Sequence, residues 1–549
     1  MKKSIVALLL MLTLVMSACS MTPEKVDGIL RQLEGKPTFE EMEYSRPDMD
    51  ALQEAGKAVC EATQTQNDAE AILDSLFSYY DLYEECQTMY NLADIRHSLD
   101  LSDPYYKEEY ATCSQLWSQV GENLDSVYRS LAQSPMKDEL EELYFDEGYF
   151  DQYLDEDGQA LESVWTEKFL ELLNQEAQLE AQYYDVLDSL SRNQGEGDYT
   201  KKLAEALAPV YLDMIRVRQA MAQEMGYPDY ESFAWYWSYE RDYTPQEVQT
   251  YVTAIQEKLV PMYQQLWNSD FFENVYETRV SKQQIQDYVK SAAKHMGGVM
   301  EESWETLEQQ KLFDLSAGPN KYIGSYELYL PSYEVPFVFL YPYGDITDYI
   351  SFSHEFGHFI NDYATKGSYL SVDNAEALSQ AMEYLATSYS LDTDADTLES
   401  LRKMTLANSL CTYVDQAAYH SFEHLAYKLT EEELTLENLN GIYTQVLQDF
   451  GHPVVEGAET DWVEVPHFFV EPFYVLSYVV SNDISMQIYE KELENAGDGL
   501  ELYEALSMQW EDEDFQSLLK EAEIINPLAP ERLSSLQTHF KTELIEELH

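Results

Sequence analysis

His354 and His358 bracket Glu355 in the run His354-Glu355-Phe356-Gly357-His358. Residues four apart on a helix share a face, so this spacing presents both imidazoles to one point. Two neutral ring nitrogens aimed at a common point are half of a zinc site, which takes such donors at about 2.0–2.1 Å and, when catalytic, keeps one position open for water. Glu355 sits one step round the helix, off the ligand face but within reach of that water, where a carboxylate can serve as general base. With 10 His and 102 acidic residues in 549, chance supplies only about 0.03 such patterns. The motif predicts one Zn2+ per chain.

A third ligand must come from elsewhere. The segment from Asp373 begins like a capped helix and places Glu376, Gln380 and Glu383 on one face. Two carboxylates and an amide on an otherwise apolar segment are costly to bury without partners, and a zinc ion with its histidines provides them. We assign Glu376 as the third ligand and Glu383 as the carboxylate that orients a ligand histidine from behind. A second pair, His420 and His424 in His-Ser-Phe-Glu-His, has no base in register and no acidic follow-on, and reads as ordinary helix. Cys60, Cys86, Cys113 and Cys411 form no Cys-x-x-Cys pair; a disulfide among the first three and free buried thiols both remain open.

With those residues in place, the chain resembles the thimet oligopeptidase / oligoendopeptidase F family of zinc metallopeptidases. The resemblance rests on His-Glu-Phe-Gly-His followed by Glu376-x-x-Ser379-Gln380-x-x-Glu383, and on Gly324-x-Tyr326, Pro336 to Phe339 and Asp348 upstream. Pro466-His467-Phe468-Phe469-x-x-Pro472-Phe473-Tyr474-x-x-x-Tyr478 is similar to the family's His/Tyr substrate segment, and Gly226-Tyr227 and Arg241-Asp242-Tyr243 also fit. It covers roughly residues 200–530. The resemblance implies a two-lobed helical body around a deep channel, with His467, Tyr474 and Tyr478 as candidate donors to the reacting oxygen. Two departures stand out: a short gap from His358 to Glu376, and Leu476 where relatives carry a tyrosine.

The elements that must position these residues are mainly α. From about residue 40 to 190 apolar residues recur three and four apart, most clearly over Leu161 to Leu190. Ser191 to Asp198 reads as a loop, and a second helical set runs from Lys201 to about Trp267. One stretch breaks the habit: Gly324 to Leu330 and Val335 to Tyr341 read as a β-hairpin, with Pro336 marking the second run as an edge strand because it cannot donate to a ladder. Helix returns beyond Gly344. The expected division is a signal peptide at 1–18, a tether at 19–40, an N-terminal helical lobe at 41–200 and a catalytic region at 201–549.

Charge narrows the partners. The chain carries 33 Lys plus Arg against 102 Asp plus Glu, a formal net of −69. Such a surface repels phosphate backbones, which argues against nucleic acid and against docking on anionic membranes through the folded surface. We read it as a soluble surface adapted to its habitat. Met1-Lys2-Lys3, an apolar run from Ile5 to Met16 and Ser17-Ala18-Cys19 form a secretion signal of the bacterial lipoprotein kind, with Cys19 as the lipidated residue. That predicts an extracytoplasmic protein, held at the cell membrane only by its N-terminal lipid.

The combined expectation is a lipid-anchored zinc endopeptidase that hydrolyses short oligopeptides outside the cytoplasm, with water activated by Glu355. One alternative is a non-catalytic peptide-binding lipoprotein that feeds an importer; such a binder has no reason to keep the His354, Glu355, His358 and Glu376 set. The other is a helical zinc peptidase of the dipeptidyl carboxypeptidase kind, which would need a closed channel end to read a free C-terminus.

Overall fold

A computed structural model of the chain describes residues 36–155, 157–191, 199–272, 278–368, 370–508 and 515–548. The signal peptide, Cys19, most of the tether and nearly all of the 191–198 loop lie outside the described residues.

Helices start where their caps dictate. Asp48, Asp68 and Asp103 each accept from a backbone N–H of the first turn of Met49–Thr65, Ala69–Leu99 (α1) and Pro104–Ala132, and Pro104 opens the last of these. The helix expected from Leu161 begins later, at Glu167, and runs to Ser191 (α2). Thr166 sets that start, because its hydroxyl accepts from the Phe169 N–H at 3.0 Å, while Leu161 N–H is drawn back to the Tyr153 carbonyl at 2.8 Å. Tyr199–Glu224 (α3) packs along α2.

The hairpin forms as two antiparallel strands, Ser325–Leu330 (β2) and Val335–Leu340 (β3). Its expected edge is corrected. A short strand, Phe313–Asp314 (β1), pairs with β3 in parallel, so the order is β1-β3-β2 and β3 is central. All six β3 residues are buried, as suits a strand covered on both faces. Pro336 is tolerated because β1 opposes only Val338 and Phe339. Val338 N–H donates toward β1, to Leu312, and alternation points the Pro336 nitrogen the same way, past the end of β1. There the Gln310 carbonyl already accepts from Phe39 N–H. β1 and β2 are the edges of the sheet, and on the β2 edge the Tyr329 carbonyl accepts from Asn91 of α1 at 2.7 Å.

The remaining chain is helical. Thr347–Thr365 (α4) lies on Val372–Tyr389 (α5), which in turn packs on Val475–Glu494 (α8); Ala395–Ala426 (α6) and the short Pro466–Val470 (α7) complete the surroundings. Buried apolar side chains form one connected cluster from Phe39 to Ile545. Cys60, Cys86, Cys113 and Cys411 are free thiols. Among the described residues no helix is long and apolar enough to cross a membrane.

Candidate active site

The site is built on α4. Asp348, in its first turn, accepts from the Tyr343 and Gly344 N–H groups at 2.9 and 2.7 Å and so closes the turn that enters the helix. Phe352, Phe356, Phe359 and Ile360 are fully buried, which leaves His354 and His358 on the face toward a cavity. Their ring centroids are 5.0 Å apart. Gly357 decides how near α5 can come: a Cβ there would stand 2.6 Å from Ser379 Cα. Glycine inside a helix costs about 1 kcal/mol against alanine, and here that cost permits backbone-to-backbone approach.

The close approach delivers the third ligand. Glu376 Oε2 lies 3.3 Å from His354 Nε2 and 3.9 Å from His358 Nε2, and one donor atom from each of the three residues falls within 4.8 Å of the others. Glu383 Oε1 is 2.8 Å from His354 Nδ1, behind the ring, as expected of a residue that orients the ligand. Gln380, on the same face, turns instead to the Tyr478 carbonyl.

Electrostatics suit a cation. Burial alone would raise Glu376, but the hydrogen bond and charge of His354, with His358 and Tyr474, hold it at about 2. Burial lowers His358 to about 4, which keeps that imidazole neutral. Burial opposes charge on His354 too, yet Glu376 and Glu383 together raise it well above its ordinary value. A positive charge is therefore wanted at this point, and two imidazoles with one ionised carboxylate form a donor set that zinc accepts. Glu355 is pushed up to about 7 by burial, against the opposing effects of His354 and a hydrogen bond from Ser325 on β2.

The three residues of the His/Tyr segment line the same cavity. Tyr474 donates to Glu376 Oε1 at 2.5 Å, and Tyr478 Oη and His467 Nε2 are 3.3 Å apart. Burial lowers His467 to about 4 and raises both phenols well above their ordinary values, so both tyrosines keep their protons as donors. Leu476 is fully buried, because position 476 points away from the face shared by 474 and 478. His420 and His424 take no part: His424 pairs with Glu231 at 2.7 Å and His420 is buried beside Phe473.

The sequence reading missed the residues that hold this segment. The buried Arg218 of α3 donates to the Phe468 and Phe469 carbonyls, Tyr239 donates to the Pro472 carbonyl, and Glu423 of α6 accepts from Phe473 N–H. Phe473 has φ +68°, a left-handed conformation that costs about 1–2 kcal/mol for a residue with a side chain and persists where neighbours over-determine it. Arg218 shares its helix with Arg216, and nothing in the sequence says which of the two is buried.

The cavity is about 880 Å³ and draws its walls from distant parts of the chain, including Asp94 of α1, Glu180 of α2, Glu327 of β2 and Glu471 between α7 and α8. Among the described residues no lysine or arginine lines it.

Residues 39–153 match the sequence model described as the Peptidase M3 N-terminal domain, and residues 198–507 match the one described as Peptidase family M3. A curated relative, an oligoendopeptidase F homolog from Borreliella burgdorferi, is 26% identical over 182 residues; the aligned region spans 31% of this chain and 31% of that relative. Among solved structures, one named oligoendopeptidase F superposes with a TM-score of 0.80 at 19% identity, covering 92% of this chain and 98% of that one. PZ peptidase A with an inhibitor gives 0.78 at 19% identity, over 92% and 99%. An oligoendopeptidase F from Bacillus anthracis gives 0.77 at 19% identity, over 92% and 97%. At these identities the superpositions establish a common fold.

Proposed function

The chain belongs to peptidase family M3, and from that premise we propose that it is a zinc-dependent endopeptidase of short oligopeptides. The observation that carries this reading is the convergence of His354, His358 and Glu376 on one point of a cavity wall, with Glu355 beside them. A zinc ion held by those three side chains would supply a Lewis acid for the scissile carbonyl and an acidified water. Glu355 takes the proton of the attacking water and passes it to the leaving amine, a role suited to a carboxyl lifted toward neutrality. Tyr474, Tyr478 and His467 line the same cavity and are the groups assigned as donors to the developing oxyanion, Tyr474 by exchanging its bond to Glu376.

Substrate access follows from the cavity. β2 is an edge strand of the sheet, and its residues Ser325 to Leu328, ahead of the Tyr329 carbonyl that Asn91 occupies, line the cavity wall. An extended peptide can add to such an edge through main-chain hydrogen bonds, which tolerate many sequences. Because α1 and α2 supply further walls of the same cavity, a folded protein would first have to open locally, against its own stability. We therefore expect internal cleavage of peptides of about 6 to 20 residues, a range set by an extended reach of about 3.3 Å per residue. The test incubates the enzyme with a folded protein and with an internal peptide of that protein. Cleavage of the peptide alone is the expected result; comparable cleavage of both eliminates the enclosed channel, and cleavage of neither by zinc-loaded protein eliminates the peptidase reading.

The N-terminal sequence supports an extracytoplasmic site of action, with Cys19 lipidated and the rest of the chain held at the membrane by that anchor. Cys19→Ser should release the protein in soluble form. Unchanged attachment on membrane fractionation would rule the lipid anchor out.

A further inference from the structure

Arg241 touches both halves of the site without reaching the cavity. Its guanidinium is buried, with the residue 2% exposed, and lies over the rings of Trp235 and Tyr239 at 5.0 and 4.5 Å from their centroids. Nη2 donates to the Phe473 carbonyl and to Ser477 Oγ, each at 2.9 Å. Nε lies 3.9 Å from Asp373 Oδ1. Phe473 immediately precedes Tyr474, and Ser477 immediately precedes Tyr478. Asp373 is one helical turn before Glu376 on α5, and Tyr243 fixes its other oxygen at 2.8 Å. One planar cation thus joins the helix that carries the carboxylate ligand to the segment that carries the tyrosines.

We propose that Arg241 is a positioning residue that sets the spacing between the Glu376 helix and the tyrosines Tyr474 and Tyr478. The proposal rests on reading those tyrosines as oxyanion donors.

The geometry favours positioning over simple stabilisation. Burying a cation is costly, and an apolar side chain of similar size often stabilises as well or better. Arg241 is also poorly compensated as an ion: its Asp373 partner is distant, and Nε and Nη1 make no hydrogen bond. What it provides is two nitrogens at a fixed separation, Nη2 bonded to Phe473 and Ser477 on the tyrosine segment and Nε facing Asp373 on α5, which a single ammonium nitrogen cannot reproduce. Glu423 accepts from the Phe473 N–H at 2.9 Å while Arg241 donates to the Phe473 carbonyl, so the peptide groups on either side of Phe473 are both held. The next residue, Tyr474, then reaches Glu376 at 2.5 Å. Donors of this kind act only when correctly placed, and a misplacement of about 1 Å can cost about 10²-fold.

The test compares the parent chain with Arg241→Lys, Tyr478→Phe, Tyr474→Phe and the combined variants, all with zinc content measured. Arg241→Lys should keep one zinc per chain and a KM within about threefold of the parent, while kcat falls about 10–100-fold, the range for loss of a group that orients others. The more costly tyrosine variant should lower kcat about 10²–10³-fold in the parent. In the Arg241→Lys chain the same tyrosine change should cost far less, because the donor is already displaced. A purely structural arginine would leave that cost unchanged, and multiplying losses would overturn the proposal. If neither tyrosine variant affects the parent, the oxyanion reading fails and this inference fails with it; if one is costly but independent of Arg241, only the inference fails. Should Arg241→Lys not fold, Ser477→Ala removes one of its acceptors at little change in volume and must show the same dependence.

Discussion

Glu355→Gln is expected to retain zinc and peptide affinity while kcat falls by about 10²–10⁴, the range for loss of a positioned general base. The change is nearly isosteric and removes only the group that accepts a proton. Glu355 is 5% exposed on the inner side of α4, so the amide replaces it without opening the helix, and it is not one of the three converging ligand groups. The measurements are zinc by elemental analysis, peptide affinity by direct titration and turnover on the same preparation. Loss of turnover with the other two intact assigns proton transfer to Glu355. Substantial residual turnover would remove it from that role and leave His467, a cavity-lining imidazole 3.3 Å from Tyr478 Oη, to be tried in its place.

His358→Ala and Glu376→Ala are expected to take zinc from one per chain to near none, and turnover with it. Each removes one of only three protein ligands, so no partial set with comparable affinity remains. Glu376→Ala has a second effect: it strips His354 and Tyr474 of their shared acceptor. Glu383→Gln provides the contrast. It leaves all three ligands and weakens only the hydrogen bond behind His354, so metal affinity should fall about 10–100-fold, as for other groups that orient a ligand. A His358→Ala protein that holds full zinc after dialysis would show the metal to be elsewhere.

Much of the chemistry could be read from the sequence because it is local. The pair His354 and His358 shares a face through helical periodicity alone, and the same holds for Glu376 with Glu383 and for Tyr474 with Tyr478. The helical habit and the hairpin follow from spacing within a few residues, whereas the capped start read at Asp373 does not form: α5 opens at Val372, and Asp373 turns to Tyr243 instead. Errors arose where a distant partner decided. Pro336 marks an edge only if nothing pairs beyond it, and a two-residue strand from Phe313 makes β3 central while leaving that proline unopposed. The helix at 167 starts late because a threonine hydroxyl and a carbonyl at Tyr153 outweigh an apolar stripe.

By itself, then, the sequence determined which side chains could bind a metal and move a proton, since those capacities reside in residue type and short-range spacing. The tertiary structure decided whether they meet. Gly357 lets α5 approach α4, Arg241 and Glu423 grip the backbone beside Tyr474, and Asp94 and Glu180 wall a cavity that opens on histidines far along the chain. These are packing contacts between elements remote in sequence, and they depend on shape and volume rather than on any repeating period, so no local pattern records them.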